Sequence, residues 1–471
     1  MSRYWRRASA SKAGALIDGR SYFGALYHAA RRARRSIVMC GWQFDSSVRL
    51  LRGEDAEDAP LPCELLPFLD ALCLENPELE VHILAWDFSL VYVPERELLQ
   101  RWVFERCKSG RVHFHFDDKV PPGGSHHQKL VVIDGNLAFF GGMDVCSSRW
   151  DDSAHLTSMP ERRNTRGFSY APFHDVQAFV VGDAARELQT LFEDRFERAT
   201  GRELALPVCV DDARWDFVEG DVSLPASDVL LSRTMYHPNI HEISDLLLTN
   251  IENARELVYL ESQYLTSVAV RDALIRRFGR GDLDVVVILP ESPNAKEDLA
   301  LGDAQAQIIQ SIADSGGSFR AYYPGRGPGP STYVHAKVMI VDDRILTVGS
   351  ANLTNRSLSL DTELCVTWEL DRADEQIRAL RTRLLSEHTG VSAAGLAATR
   401  GLVQELDALA SADSHLGAHD HLRRDPRPAA VRAAVFDPVK PLDELAVDDL
   451  ISRTWSEWFT RSVETVEGWF Q

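Results

Sequence analysis

Short apolar, β-branched runs alternate along the chain with stretches whose apolar residues return every three or four positions. Runs such as IVMCGW (37–42) and VVVILP (285–290) read as buried strands. SYFGALYHAARRARR (21–35) and NIHEISDLLLTNIENARE (239–256) read as helices; in the latter Ile240, Ile243, Leu247 and Ile251 fall at helical spacing. Strands and helices in this alternation predict α/β layers, a sheet covered by helices.

The pattern occurs twice. SIVMCGWQFDSSV (36–48), EVHILAWDFS (80–89) and VHFHFDD (112–118) lead to HHQKLVVIDGNLAFFGGMD (126–144). ELVYLESQYLTSV (256–268), DVVVILPESP (284–293) and FRAYYPG (319–325) lead to VHAKVMIVDDRILTVGSAN (334–352) in the same order. The motif histidines His127 and His335 lie 208 residues apart, which suits duplicated units of domain size, not a solenoid. The expected organisation is a first repeat over 1–215, a second over 216–390, and a connector with a helical appendage over 391–471. VVID-GN-LAFFGG reads as a hairpin turning at Asp134-Gly135-Asn136, with VMIV-DDR-ILTVGS as its counterpart. The appendage carries Trp455, Trp458, Phe459, Trp469 and Phe470, expected to dock on the protein, with an interfacial anchor as the alternative.

Composition narrows the partners. The 471 residues are 45% hydrophobic and carry a formal charge of -19, which disfavours general affinity for nucleic acid while allowing a local basic pocket. Seven cysteines, odd in number and never in a C-x-x-C pair, fit a reducing compartment better than disulfides or a zinc cage. The N-terminus shows no apolar run of signal-peptide length, and no stretch of about 20 apolar residues occurs. The expected location is cytoplasmic, or peripheral at the inner face of a membrane.

The chemistry concentrates in two matching motifs. His127-x-Lys129 is followed by Asp134 and then Gly141-Gly142-Met143-Asp144. His335-x-Lys337 is followed by Asp342 and then Gly349-Ser350-Ala351-Asn352. If His-x-Lys lies on a strand, imidazole and ammonium point to the same side. That pairing suits a phosphodiester: one group attacks or moves a proton, and the other neutralises oxygen charge. Two copies facing one another can divide the labour between nucleophile and general acid/base, with no metal and no cofactor required. A single H-x-K-x4-D match would be a chance occurrence. Two copies at matching positions of a repeat are not, and none of the six motif residues is lost.

Both motifs match the HKD signature, so the chain resembles the phospholipase D superfamily. The GG-x-D and RWDD that follow the first motif, and GSAN with Arg356, Ser357 and Glu363 after the second, look like the eukaryotic-type branch. PFHD (172–175), GWQFDS (41–46) and ESQYLTS (261–267) also have counterparts, and the resemblance covers about residues 15–390. It implies two α/β/α sandwich halves related by a pseudo-twofold axis around one active site. It also implies hydrolysis or transphosphatidylation of phospholipids through a phosphohistidine, with water or a small alcohol as acceptor. A cardiolipin-synthase-like transferase and a nuclease of the same superfamily are the alternatives.

Carried over residue by residue, the catalytic set is His127, Lys129, Asp134, His335, Lys337 and Asp342. His127 would be the nucleophile and His335 the general acid/base, with the reversed roles as the alternative. Lys129, Lys337 and Asn352 would bind phosphate, and Asp134 and Asp342 would tie down each motif. Asp144 and Ser350 would support the site from behind, Asp144 by orienting a neighbour. Each histidine needs an acceptor at its far ring nitrogen. Glu363 is the expected partner in the second motif, next to His335, and Asp175 the candidate for His127. Loops over roughly 145–172 and 293–333 would shape the pocket.

Other clusters read as structural. His113 and His115 alternate on a strand, and His415, His419 and His421 fall in the connector, so no metal is expected at either. Arg31, Arg32, Arg34 and Arg35 form a solvated helix end, with an anionic-lipid patch as the alternative. Trp86 is either core or pocket lining.

Overall fold

A computed structural model describes residues 3–87, 97, 100–292, 301–325, 330–410, 415–419 and 436–441. The C-terminal aromatics from Trp455 to Phe470 and His421 lie outside the described residues, as does part of the 293–333 loop. In chain order the strands are β1 (Arg6–Ser9), β2 (Lys12–Ile17), β3 (Ser36–Gly41), β4 (Glu80–Trp86), β5 (Val112–Asp117), β6 (Leu130–Ile133) and β7 (Leu137–Gly141). Next come β8 (Phe173–His174), β9 (Val176–Val181), β10 (Val222–Leu224), β11 (Asp228–Met235), β12 (Ile240–His241) and β13 (Leu257–Glu261). The last are β14 (Asp284–Ile288), β15 (Ser318–Pro324), β16 (Tyr333–Val334), β17 (Val338–Val341), β18 (Ile345–Gly349), β19 (Glu363–Glu369) and β20 (Leu416–Ala418).

The strands form two mixed sheets of matching order. One runs β10-β2-β9-β7-β6-β3-β4-β5, and the other runs β1-β11-β19-β18-β17-β13-β14-β15-β20, with β12 added to β11. From β2 and β11 onward each strand of the first sheet has its counterpart at the same place in the second. The duplication in the sequence is therefore a duplication of topology, with pseudo-twofold symmetry.

Side-chain alternation builds the layers. Val38 and Cys40 of β3 and Val338 and Ile340 of β17 enter one core shared by both sheets. Their neighbours Ile37 and Met39, and Met339 and Val341, enter separate outer cores. Period-two alternation on strands buried on both faces produces this split. Helices Asp183–Thr200 and Glu375–Thr389 also pack into the shared core, whereas helix Asp18–Ala30 covers the outer face of the first sheet. Each half is thus an α/β/α sandwich.

The halves exchange edge strands. β1, at the N-terminus, pairs antiparallel with β11 in the second sheet. β10, just after the expected boundary at 215, pairs with β2 in the first. The stretch expected as a connector also contributes structure: helix Leu402–Leu409 places Leu402, Val403 and Leu406 in the core, and β20 extends β15. Its apolar residues cover a sheet face and edge that would otherwise be exposed.

Candidate active site

Both His-x-Lys segments lie just ahead of a strand, β6 or β17, rather than on it. Their backbones are committed elsewhere. The N–H groups of His127 and Gln128 donate to the carbonyl of Thr362 at 2.9 and 3.1 Å, and the N–H of His335 donates to the carbonyl of His174 at 2.8 Å. β16 pairs in parallel with β8 in the same region. Each motif therefore leaves its own sheet to bond across to the other half, and the two histidines meet where the halves join.

The carboxylates behind the histidines are crossed relative to expectation. His127 Nδ1 lies 3.1 Å from both carboxylate oxygens of Glu363 and 3.0 Å from the carbonyl of Ser350. His335 Nδ1 lies 2.7 Å from Asp175 Oδ2. Glu363, expected beside His335, supports His127, and Asp175, expected beside His127, supports His335. The exchange follows from the crossed backbones: each histidine points out of its own sheet towards the carboxylate of the other. With Nδ1 engaged by a buried carboxyl group, each imidazole keeps Nε2 for chemistry.

The lysines are held from behind. Lys129 Nζ donates to the carbonyl of His127 and to Asp144 Oδ2, both at 3.0 Å. Asp144 Oδ1 accepts the N–H of Trp42 at 2.7 Å. Lys337 Nζ donates to the carbonyl of His335 and sits 3.2 Å from its Nδ1. Asn352 stands at the position equivalent to Asp144, and its buried Oδ1 has no hydrogen-bond partner. Ser350 Oγ donates to Glu363. At the equivalent Gly142, a Cβ would collide with the Asp175 carboxylate, so that position needs glycine.

Asp134 and Asp342, grouped with the catalytic set by the motif, are structural. Asp134 accepts the N–H groups of Arg34, Arg35 and Ser36 at 2.7–2.9 Å. Asp342 accepts those of Arg255, Glu256 and Leu257 at 2.8–3.0 Å. Both sit at positive φ, 52° and 55°, in the hairpin turns. Each fastens its turn to the start of the neighbouring central strand, β3 or β13.

Burial and crowded cations set the electrostatics. Burial, then Lys129 and Lys337, lower the His127 pKa well below its ordinary value. Burial, then Lys337, Arg149 and Lys129, do the same to His335. Burial also pulls the Lys337 ammonium down to about 7, lifts the Glu363 carboxyl to about 8 and lifts that of Asp175 to about 7. Such an array favours an arriving anion.

Arg149 belongs to this site and was passed over as a site residue. Its guanidinium lies over the Phe173 ring at 5.1 Å and repels a proton on His335. Its Nε has no hydrogen-bond partner. In the sequence Arg149 stands in the RWDD stretch after the first motif.

The remaining candidates lie apart from the two motif histidines. The His113 ring stacks on His82 at 4.8 Å, His115 packs edge-on to Phe196, and His419 packs on Tyr323. Arg34 and Arg35 pair with Asp211 and Glu78. Trp86 is buried and stacks on Trp42 at 5.7 Å. All seven cysteines are free. Among the described residues, three groups have metal-ligand spacing, and none contains His127 or His335. A cavity of about 280 Å³ opens beside Thr362, lined also by Lys119, Tyr236 and His237.

A family described as "Cardiolipin synthase, PLD-like domain" matches residues 247–384, the stretch holding the second motif. Minor cardiolipin synthase ClsB of Bacillus subtilis (strain 168) is 26% identical over 243 residues, 51% of this chain and 51% of that protein. Phospholipase D alpha 4 of Arabidopsis thaliana is 22% identical over 496 residues, 79% of this chain and 64% of that protein. The chain thus matches less than two thirds of the length of either relative. The crystal structure of phosphatidylserine synthase from Haemophilus influenzae Rd KW20 shares the fold, with a TM-score of 0.55 at 14% identity over 81% of this chain and 87% of that one. Residues 247–384 thus match a PLD-like domain, and the His-x-Lys-x4-Asp motif within them recurs in the first half of the chain.

Proposed function

We propose that the chain is a phosphodiesterase that transfers the phosphatidyl group of a phospholipid to water or a small alcohol through a phosphohistidine. The observation that carries this reading is the pair of crossed histidine–carboxylate couples, Glu363–His127 and Asp175–His335, among Lys129, Lys337 and Arg149. His127 Nε2 attacks phosphorus; a P–N bond forms and the P–O bond to the head group breaks as His335 protonates the leaving oxygen. His335 then takes a proton from water or an alcohol, whose oxygen displaces His127 from phosphorus. Bound phosphate offsets the cations around His335 and raises its proton affinity, so that the imidazole can serve as the acid. Lys129, Lys337 and Asn352 hold the non-bridging oxygens.

The GG-x-D, RWDD and PFHD elements favour a substrate like that of eukaryotic-type phospholipases D, giving phosphatidic acid or an exchanged head group. The family match and the likeness to ClsB favour transfer to an alcohol, as in a cardiolipin synthase. No helix among the described residues is long and apolar enough to cross a membrane, and the reading has the protein work peripherally at a lipid surface, on the cytoplasmic side. A panel of phospholipid vesicles assayed with and without ethanol or glycerol tests all of this. Phosphatidic acid without alcohol and a phosphatidyl-alcohol with it are expected. Cleavage of DNA with no lipid turnover would replace this reading by the nuclease alternative.

A further inference from the structure

Away from the catalytic histidines lies a second group of buried ionisable side chains, drawn from both halves. Asp18 begins the helix Asp18–Ala30, His155 sits in the loop after β7, His174 ends β8, and Glu387 comes from the helix Glu375–Thr389. One ligand atom from each lies within 4.8 Å of all the others.

The outer nitrogens of both imidazoles are already bound. His174 Nε2 lies 3.0 Å from Glu261 Oε2, and His155 Nδ1 lies 3.0 Å from Asp151 Oδ2. The surrounding carboxylates raise the proton affinity of both imidazoles; in its neutral form each has a single N–H, and that one is spent outward. The inner nitrogens, His174 Nδ1 and His155 Nε2, then present lone pairs to carboxylate oxygens. His174 Nδ1 is 2.8 Å from Glu387 Oε1 and 3.0 Å from Asp18 Oδ1. His155 Nε2 is 3.1 Å from Glu387 Oε1 and 3.5 Å from Asp18 Oδ2. Lone pair against lone pair in a buried space is repulsive, so something positive must stand between them. Two further protons would serve, and so would one divalent cation of the same total charge.

The surroundings suit the cation. His174 and Asp18 are fully buried, and Asp18 Oδ2 accepts no hydrogen bond there. Ligands about 2.0–2.1 Å from a tetrahedral zinc stand about 3.3 Å from one another, and the distances above, 2.8–3.5 Å, reach that edge after a small outward shift of the ligands. Metal-bound histidines characteristically give their other N–H to a carboxylate, as both do here. Two imidazoles and two carboxylates suit zinc among divalent cations. His155, with its side chain 10% exposed, offers the way in.

We propose that Asp18, His155, His174 and Glu387 form a structural site for a divalent transition-metal cation, zinc foremost, that clamps the two halves together behind the catalytic centre. His174 precedes Asp175, the partner of His335, so the clamp would also steady that carboxylate. The metal takes no part in bond making.

The full chain, stripped with chelator and titrated with Zn²⁺ alone, is expected to bind one equivalent and to gain thermal stability. X-ray absorption on the loaded protein should show two imidazoles and oxygen ligands without sulfur. His155→Ala should weaken Zn²⁺ binding by at least about 100-fold, while His113→Ala, in the separate Glu80–His82–His113 group, should leave it unchanged. No metal bound, sulfur in the ligand shell, or equal binding by His155→Ala would overturn the proposal. Should His155→Ala not fold, the ligand shell of the wild-type protein decides.

Discussion

The two halves share a topology but not the same chemistry at equivalent positions. In the first, Lys129 is ion-paired to Asp144; in the second, Asn352 takes the aspartate's place, and burial leaves the Lys337 ammonium at about 7. Gly142 makes room for Asp175, whereas Ser350 donates to Glu363. His335 is held by the shorter carboxylate at 2.7 Å, and His127 by the longer one at 3.1 Å with a carbonyl in addition. The two motifs are thus equivalent in topology and differ at a few positions around the histidines.

The largest expected effect separates the histidines. His127→Ala and His335→Ala should each lower kcat on a phospholipid by about 10³-fold or more. On a p-nitrophenyl phosphodiester, whose leaving group needs no proton, His335→Ala should recover much of its rate and His127→Ala none. Recovery by His127→Ala instead would reverse the assigned roles. Next come the crossed carboxylates: Asp175→Asn and Glu363→Gln should each cost about 10²–10⁴-fold in kcat, by analogy with the orienting carboxylate of a triad. If only one of them mattered, the symmetry of the two couples would be broken.

Arg149→Met should lower kcat/KM by about 10²-fold if the guanidinium meets the phosphate, measured with the protein's melting temperature unchanged. Asn352→Asp, which makes the second half resemble the first, should raise KM about tenfold by setting a carboxylate near bound phosphate. Last is a pH effect. The carboxyl of Glu363 is raised to about 8, chiefly by burial, so its protonated form favours the fold, and that contribution is lost as pH rises from its unfolded value through 8. The stability of Glu363→Gln relative to wild type should therefore improve across that window, as followed by denaturant titration.

Much of the site was legible because it is local. Histidine, lysine, aspartate and the following glycines keep fixed spacing, since each motif runs from the interface into one hairpin. The backbone that Asp134 and Asp342 restrain was not legible, because the N–H groups they accept, those of Arg34–Ser36 and of Arg255–Leu257, lie 85–100 positions away along the chain. Arg149 was not legible as a site residue, because nothing in its spacing says that a loop folds back over Phe173.

The sequence by itself determined the duplication, the strand and helix order within each copy, and the two His-x-Lys pairs proposed to carry the chemistry; periodicity and short-range spacing encode all of these. Only the tertiary structure decided which carboxylate serves which histidine, that the two His-x-Lys backbones bond across to the opposite half, and that edge strands β1 and β10 are exchanged. It also decided that Asp18, His155, His174 and Glu387 share one buried volume. These are contacts between residues as much as 369 positions apart (18 to 387), set by how two sheets pack through a common core, and no local pattern along the chain records that packing.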